Sequence, residues 1–349
     1  DVPLIKKETL EELISSSDEG LSILTTTLED PHGYGRVKKD DLGNALAIVE
    51  EKDASADEKN IKEIFTGVLC GQKELIEKGL AKLDNNNAAG EFYLTDLVSI
   101  ISNNGFKIKT YNASNDEVKG ANSKAELAQL EGIYRAMKAE ELINKGVTVA
   151  DPMRLDIRGE VVAGKDCLID VNVILEGNVT LGDSVHIGPN TILKNVTIGN
   201  NSKIEAFSHL DTATVGDDCV IGPYARLREG SNIENSAKVG NFVETKNTTL
   251  GNGSKANHFT YLGDTEVGTS TNIGAGTITC NYDGTDKHKT VIGDESFIGS
   301  NTSLVAPVTV GSNATVAAGS VITKDVPDGA LGVARSKQDN KENWSKKKD

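Results

Sequence analysis

The chain has 349 residues, of which 37 are Lys or Arg and 52 are Asp or Glu, so its formal net charge is −15. That length predicts more than one core, and an acidic surface with a pI near 4.9 argues against nucleic-acid or membrane partners. No apolar run is long enough to span a bilayer and the four cysteines form no Cys-x-x-Cys pair, so we expect a cytoplasmic protein with reduced thiols.

The first 122 residues alternate strand-like and helical segments. Leu21–Thr27, Ala45–Val49 and 107–111 are rich in aliphatic and β-branched residues, which favours strands. The segment 73–83 spaces its apolar residues as a helix does. This alternation predicts an α/β layer structure for the N-terminal part of the chain.

One amphipathic helix is predicted to follow over 123–145. Its apolar residues recur at helical spacing, at Leu127, Leu130, Tyr134, Met137 and Leu142. Gly146 is expected to end the helix, and Asp151-Pro152 marks the next boundary. The predicted organisation is therefore a partial first domain (1–122), a linker helix (123–150), a repeat domain (151–328) and a C-terminal tail (329–349).

A six-residue period dominates the chain beyond about residue 160. The aliphatic positions of the first repeats are Ile169, Leu175, Leu181, Ile187 and Leu193. Glycine often follows the aliphatic residue, where a missing Cβ permits a tight corner. A period of six predicts a short strand plus a corner, three of which close a triangular coil with its aliphatic residues stacked inside. The interruption at 280–290 predicts a loop that leaves the coil.

Longer segments are more discriminating than the repeats. They read DPHGYGR over 30–36, IGPYARLR over 221–228 and NIGAGTITCNYDG over 272–284. Together they resemble, over essentially the whole chain, the bacterial bifunctional N-acetylglucosamine-1-phosphate uridyltransferase / glucosamine-1-phosphate acetyltransferase family. The resemblance implies an α/β remnant of a nucleotidyltransferase (Rossmann-like) domain, a linker helix and a left-handed parallel β-helix of hexapeptide repeats.

The resemblance also implies two activities. One is acetyl transfer from acetyl-CoA to the amine of glucosamine 1-phosphate, and the other is Mg²⁺-dependent uridylyl transfer from UTP to give UDP-N-acetylglucosamine for peptidoglycan and lipopolysaccharide synthesis. The family's first domain opens with a Gly-x-Gly-Thr-x-Met loop that this chain does not contain, so we expect the uridylyl activity to be lost here. A homotrimer is implied, with the 280–290 loop reaching a neighbouring subunit.

For acetyl transfer the reacting amine must lose a proton, so a base is required. His258 lies where the six-residue register is least regular and matches the family's base, with Glu244 expected to orient its ring. The residues implied to bind the sugar phosphate are Arg228, Lys246, Tyr261, Asn272 and Lys287. Those implied to bind acetyl-CoA are Ala275, Asn281, Tyr282, Ser300, Ala318 and Arg335.

For the uridylyl half, the resemblance places the UDP-sugar contacts at Gly35, Glu50 and Asn122. It places the Mg²⁺ ligands at Asp1 and Asn122, oxygen donors of the kind a hard cation prefers. The chain departs from the family at Phe65, where an Asn is usual. We expect that departure to weaken the contact with the sugar.

Three other functions are compatible with hexapeptide repeats. A different hexapeptide acetyltransferase, acting on serine or a xenobiotic, would share the coils but not the N-terminal α/β part. A non-enzymatic β-helix scaffold would have flat rows of Thr and no group of basic residues. A zinc-dependent hydratase would require three converging histidines, whereas His186, His209, His258 and His288 are scattered along the sequence.

Overall fold

The computed structural model describes residues 2–17, 20–121, 123–342 and 344. It divides into two compact units, with the boundary between Tyr134 and Arg135. The first unit contains α1 (Lys7–Ser15), β1 (Leu21–Thr27), β2 (Arg36–Lys39), β3 (Ala45–Val49), β4 (Glu63–Gly71), α2 (Lys73–Leu80), α3 (Asp96–Asn103), β5 (Ile108–Asn112) and α4 (Asn115–Val118). A short 3₁₀ turn covers Glu58–Asn60.

The five strands of the first unit form one sheet in the order β3-β2-β4-β1-β5. The central strand β1 pairs antiparallel with β4 and parallel with β5. Its buried residues Leu21 and Ile23 share a core with Leu97 and Ile101 of α3, whose spacing places both on one helix face. The α/β prediction is confirmed, and the strands at Leu21–Thr27 and Ala45–Val49 have the predicted bounds.

The helix α5 (Lys124–Asn144) ends before Gly146, whose φ of 94° is readily adopted only without a Cβ. The strands that follow are β6 (Thr148–Val149), β7 (Leu155–Ala163), β8 (Leu168–Ile169), β9 (Val173–Leu181), β10 (His186–Ile187), β11 (Ile192–Ile198), β12 (Lys203–Ile204), β13 (His209–Asp211), β14 (Thr214–Val215), β15 (Val220–Ile221), β16 (Arg226–Leu227), β17 (Asn232–Ile233), β18 (Lys238–Leu250), β19 (Lys255–Val267), β20 (Asn272–Ile273), β21 (Ile278–Cys280), β22 (Thr290–Ile292), β23 (Phe297–Ile298), β24 (Ser303–Val305), β25 (Val308–Val310), β26 (Thr315–Val316), β27 (Val321–Ile322) and β28 (Leu331–Gly332). A 3₁₀ turn covers Pro152–Arg154. The domain boundaries inferred from sequence stay predictions.

Strands of the second unit stack in parallel, coil on coil. Ile169 pairs with Ile187, which pairs with Ile204, which pairs with Ile221. Each step spans about three hexapeptides, so three hexapeptides make one coil, and each aliphatic residue lies directly above its equivalent in the coil below. These side chains are almost completely buried and form one continuous core. The predicted β-helix is confirmed.

One corner of the β-helix carries exposed aromatic rings. Phe207, Tyr224, Phe242 and Phe259 occupy this corner in successive coils, each with a positive φ. The ring centroids of Phe207 and Tyr224 lie 4.9 Å apart, and those of Tyr224 and Phe242 lie 5.4 Å apart. Bulky side chains rarely adopt a positive φ, so this aromatic corner is a surface feature held at some cost in backbone strain.

The interruption of the repeat is confirmed as a hairpin that leaves the coil. Ile273 pairs with Ile298, and the coil between them is more than one hexapeptide longer than the coils that separate Ile169, Ile187 and Ile204. Within the additional residues, Tyr282 and Lys287 form an antiparallel bridge. We call residues 281–289 the inserted hairpin. In the described part of the chain, no helix is both long and apolar enough to cross a membrane.

Candidate active site

The predicted base and three predicted acetyl-CoA residues occupy one column of the β-helix. Asn241 pairs with His258 in the parallel register, and the same stacking continues into the next coils. Backbone hydrogen bonds link these coils, from Gly276 N to Phe259 O at 2.8 Å and from Asn301 N to Ala275 O at 2.7 Å. The His258 column, as we call it, contains Asn241, His258, Ala275, Ser300 and Ala318.

Beyond His258 the column offers mainly backbone and small side chains. The coils stack too closely here for a side chain at either of two glycines. A Cβ on Gly274 would lie 2.7 Å from Ser300 N, and a Cβ on Gly299 would lie 2.4 Å from Ala318 N. Arg335 lies at the far end of the column, next to Gly319. Its Cδ is 3.9 Å from the position that a Cβ on Gly319 would take. A narrow acyl chain could lie along such a column, because close approach gives it access to backbone donors and acceptors.

His258 is exposed and is held by an amide. Its Nδ1 lies 3.0 Å from Oδ1 of Asn241. An amide oxygen only accepts hydrogen bonds, so Nδ1 carries the proton and Nε2 keeps the lone pair that a general base uses. Within one chain Glu244 does not lie beside His258: it pairs with Tyr261 in register and accepts a hydrogen bond of 2.8 Å from Arg228 Nη1. That Glu244 orients the ring of His258 stays a prediction.

The predicted phosphate-binding cations lie at the other edge of the same β-helix face. Arg228 is linked to Glu244, whose hydrogen bond raises the pKa of the guanidinium, so that Arg228 stays charged. Lys246 Nζ lies 3.6 Å from a carboxylate oxygen of Glu229. Tyr261 stands beside Glu244 in register. These contacts place two cations and a phenol together.

A row of charged residues explains why positive charge accumulates at this place. In consecutive coils, one position carries Arg158, Glu176, Lys194, Asp211, Arg228 and Lys246. The signs alternate as far as Arg228, and Lys194 Nζ pairs with Glu176 at 3.1 Å. Lys246 breaks the alternation because it follows another cation. An acidic protein thereby obtains a local pair of cations suited to a phosphate.

Asp264 links two further predicted residues, Asn281 and Lys287, to this group of cations. Its carboxylate accepts hydrogen bonds from Asn247 at 2.7 Å and from Asn281. Burial alone would raise the pKa of Asp264, but these hydrogen bonds and the nearby charges of Lys287 and Lys246 hold it below its usual value. Lys287 also lines a cleft of about 300 Å³ beside Asp264 and the inserted hairpin.

One chain does not bring all the predicted residues together. Gly263, which aligns with Lys246 in the next coil, is five residues beyond His258, a separation on the order of 15 Å at about 3.3 Å per residue. Asn272 pairs with Lys255 on the preceding face. Along one chain, the backbone positions of His258 and of the cations are therefore separated by about the width of one face.

Asn241, Asp264 and Asn247 were missed in the sequence. Asn241 could have been found, because it lies one full coil before His258 and must therefore lie beside it. Asn247 and Asp264 carry the same signal, because Asn247, Asp264 and the predicted residue Asn281 follow one another at intervals of 17 residues, one coil each.

Two predicted UDP-sugar residues share an open cavity in the first unit. Gly35 and Glu50 line a space of about 410 Å³, together with Phe65 and Thr95. Glu50 accepts a hydrogen bond of 2.8 Å from Thr95 Oγ1. The predicted Mg²⁺ ligands Asp1 and Asn122 lie outside the described residues.

Comparison with known proteins places the chain in a family. The model for the hexapeptide repeat of succinyl-transferase matches residues 289–324, and that for the GMPPB C-terminal domain matches 157–233. The bifunctional protein GlmU of Acinetobacter baumannii (strain AYE) is 52% identical over 348 residues, which cover 99% of this chain and 76% of that protein. GlmU of Pseudomonas entomophila (strain L48) is 51% identical, with the same coverage.

Among solved structures, an Arabidopsis UDP-N-acetylglucosamine acyltransferase covers 54% of this chain and 70% of its own, with 18% identity and a TM-score of 0.34. Such a score is too low to support an argument. The two GlmU relatives, which share about half of their residues with this chain over almost its whole length, show its family. The chain belongs to the family of the bifunctional protein GlmU, which is the enzyme family that its motifs resemble.

Proposed function

We propose that the β-helix transfers the acetyl group of acetyl-CoA to the amine of glucosamine 1-phosphate. The observation that carries the proposal is the His258 column, in which the base and the positions for the acyl carrier stand in consecutive coils. Family membership supports the same activity. A serine-specific hexapeptide enzyme or a scaffold would not require a group of phosphate-binding cations at the other edge of this face.

In the proposed reaction, Nε2 of His258 takes a proton from the substrate ammonium. The free amine attacks the thioester carbonyl, a C–N bond forms, and the C–S bond breaks. The proton taken by His258 passes to the leaving sulfur, and the nitrogen releases a second proton to solvent as the amide forms, so the products are N-acetylglucosamine 1-phosphate, free CoA and one proton. The hydrogen bond between Asn241 and Nδ1 keeps the ring in the tautomer that this step needs.

Arg228, Lys246 and Lys287 bind the phosphate in this proposal. Arg228 and Lys246 already face Glu244 and Glu229, so an arriving phosphate competes with these carboxylates for the cations. A phosphate carries more negative charge than a single carboxylate and accepts several hydrogen bonds at once. Tyr261 and Asn272 add neutral contacts to the sugar phosphate.

We further propose that the site is completed in a homotrimer. The separation of His258 from the cations along one chain supports this, because a second chain could supply one of the two sets to a bound substrate. The aromatic corner provides an exposed apolar strip next to His258, a surface suited to a subunit contact.

For the first unit we propose binding of UDP-N-acetylglucosamine or UTP in the cavity lined by Gly35 and Glu50. Mg²⁺ serves this half of the family's chemistry, with Asp1 and Asn122 as its proposed ligands. A cytoplasmic location likewise stays a prediction.

The proposed function predicts acetyl-CoA-dependent turnover that requires the phosphate group. Release of the CoA thiol would be measured with glucosamine 1-phosphate, glucosamine and serine as acceptors. We expect brisk turnover only with the first, and Arg228→Ala or Lys246→Ala should raise its KM by about 10- to 100-fold, since each removes a charge-assisted contact of roughly 1.5–3 kcal/mol. Equal use of glucosamine and its 1-phosphate by the parent protein would contradict the phosphate site, and preference for serine would contradict the function.

A further inference from the structure

The inserted hairpin has two faces with different contents. Tyr282 and Lys287 are antiparallel bridge partners, so their side chains project from the same face. Lys287 is proposed to bind the phosphate, and Tyr282 is among the residues implied to bind acetyl-CoA. Asp283 follows Tyr282 in the sequence and His288 follows Lys287, so the side chains of Asp283 and His288 project from the opposite face. His288 Nε2 donates to Asp283 Oδ2 at 2.7 Å, which closes the back of the hairpin.

Asp283 also organises the turn. Its Oδ1 accepts hydrogen bonds from the backbone N–H of Thr285 at 2.8 Å and of Asp286 at 2.7 Å. The hydrogen bond from His288, followed by those from the two backbone groups, holds the pKa of Asp283 well below its usual range. Asp283 is thus a carboxylate at neutral pH, and it ties three points of the hairpin to one side chain.

The base of the hairpin is anchored separately. Asn281 donates to Asp264, His288 N donates to Asn281 O at 2.8 Å, and Lys289 pairs with Glu266. These contacts fix where the hairpin leaves the coil but do not reach its tip. The tip is exposed and includes Gly284, with a φ of 103° and no heavy atom within 4 Å of a built Cβ. Tyr282 Oη donates to Gly284 O at 2.6 Å and Asp283 N donates to Asp286 O at 3.2 Å. The Asp283 side chain adds the three hydrogen bonds that join the turn to His288.

We propose that Asp283 and His288 are positioning residues that hold Lys287 in the geometry that binds the sugar phosphate. The inference rests on the proposed function, in which Lys287 contacts the phosphate. Neither Asp283 nor His288 contacts substrate. Loss of the pair would let the hairpin sample other shapes, so part of the binding energy would be spent on ordering it.

The kinetic test varies glucosamine 1-phosphate and acetyl-CoA separately. Asp283→Ala should raise the KM for the sugar phosphate about tenfold and change the KM for acetyl-CoA less, because most of the residues implied to bind acetyl-CoA lie outside the hairpin. Asp283→Asn, which keeps an acceptor for both backbone N–H groups, and His288→Gln, which keeps a donor, should restore most of the affinity. Thr285→Ala is the matched control, because only its backbone takes part, and should behave as the parent.

Two results separate positioning from a general structural effect. Asp283→Ala combined with Lys287→Ala should bind the sugar phosphate no more weakly than Lys287→Ala alone, because Asp283 acts through that lysine. Hydrogen exchange should accelerate at the amides of Thr285 and Asp286 in Asp283→Ala. An unchanged KM, additive effects in the double variant, or unchanged exchange would each overturn the inference. If the parent protein does not acetylate glucosamine 1-phosphate, the proposed function fails, and the exchange measurement still decides the role of the pair.

Discussion

At the scale of single residues, His258 is the group on which the proposed chemistry depends most. His258→Ala should lower kcat by about 10²–10⁴-fold, as expected for loss of a general base, with a smaller change in the KM for glucosamine 1-phosphate, because the phosphate cations lie elsewhere on the face. Steady-state release of CoA thiol measures both constants.

Asn241→Ala is the companion variant, since Asn241 holds the ring of His258 without providing the base. It should cost less in kcat than His258→Ala. A parental rate in His258→Ala would remove this residue from the mechanism.

At the scale of the strand and its coil, stability comes from aliphatic residues stacked between neighbouring coils. Ile221 of β15 is fully buried and lies between Ile204 and Val239. Ile221→Ala should lower the free energy of unfolding by about 2–5 kcal/mol, because the cavity has well-packed neighbours on both sides.

Urea denaturation followed by circular dichroism measures the loss. Val162→Ala in β7 is the control, because that side chain is 64% exposed and exposed substitutions usually change stability by at most about 0.5 kcal/mol. Equal losses in both variants would mean that the stacked column does not carry the stability of the β-helix.

At the scale of the whole molecule, the question is whether one chain can form a complete site. His258→Ala and Lys246→Ala would each be nearly inactive at low substrate concentration. If a site takes His258 from one chain and Lys246 from another, randomly mixed 1:1 assemblies of the two variants should recover about one quarter of the parental activity, since a quarter of the sites would combine the two intact residues.

Co-expression of the two variants with different affinity tags, followed by assay of the doubly selected material, makes this measurement. Double selection removes the uniform trimers, so about one third of the sites in that material should be intact. Absence of recovery in verified mixed assemblies would show that a single chain supplies both residues. Mixing His258→Ala with His258→Ala under a second tag is the control, and it should remain inactive.

The sequence alone determined the coil and the family. A period of six requires a corner in each repeat, and an aliphatic residue in each repeat requires an interior, so the β-helix follows from local spacing. The motifs at 30–36, 221–228 and 272–284 likewise indicated the family to which the chain belongs. Only the tertiary structure decided which residues meet. Register depends on the exact length of every coil, and shorter coils occur together with the longer one that contains the inserted hairpin.

That variation is why Asn241 stands beside His258 while Glu244 stands with Arg228. Lys246 and His258 lie at different positions within their coils, because Lys246 pairs with Gly263, five residues beyond His258. The pairing of Asp283 with His288 depends on the fold of the inserted hairpin, outside the repeat, where periodicity gives no register. Local spacing specifies the β-helix, whereas the partners of each polar side chain are set by contacts between coils, because residues that are a whole coil apart in sequence must first be brought into adjacent layers.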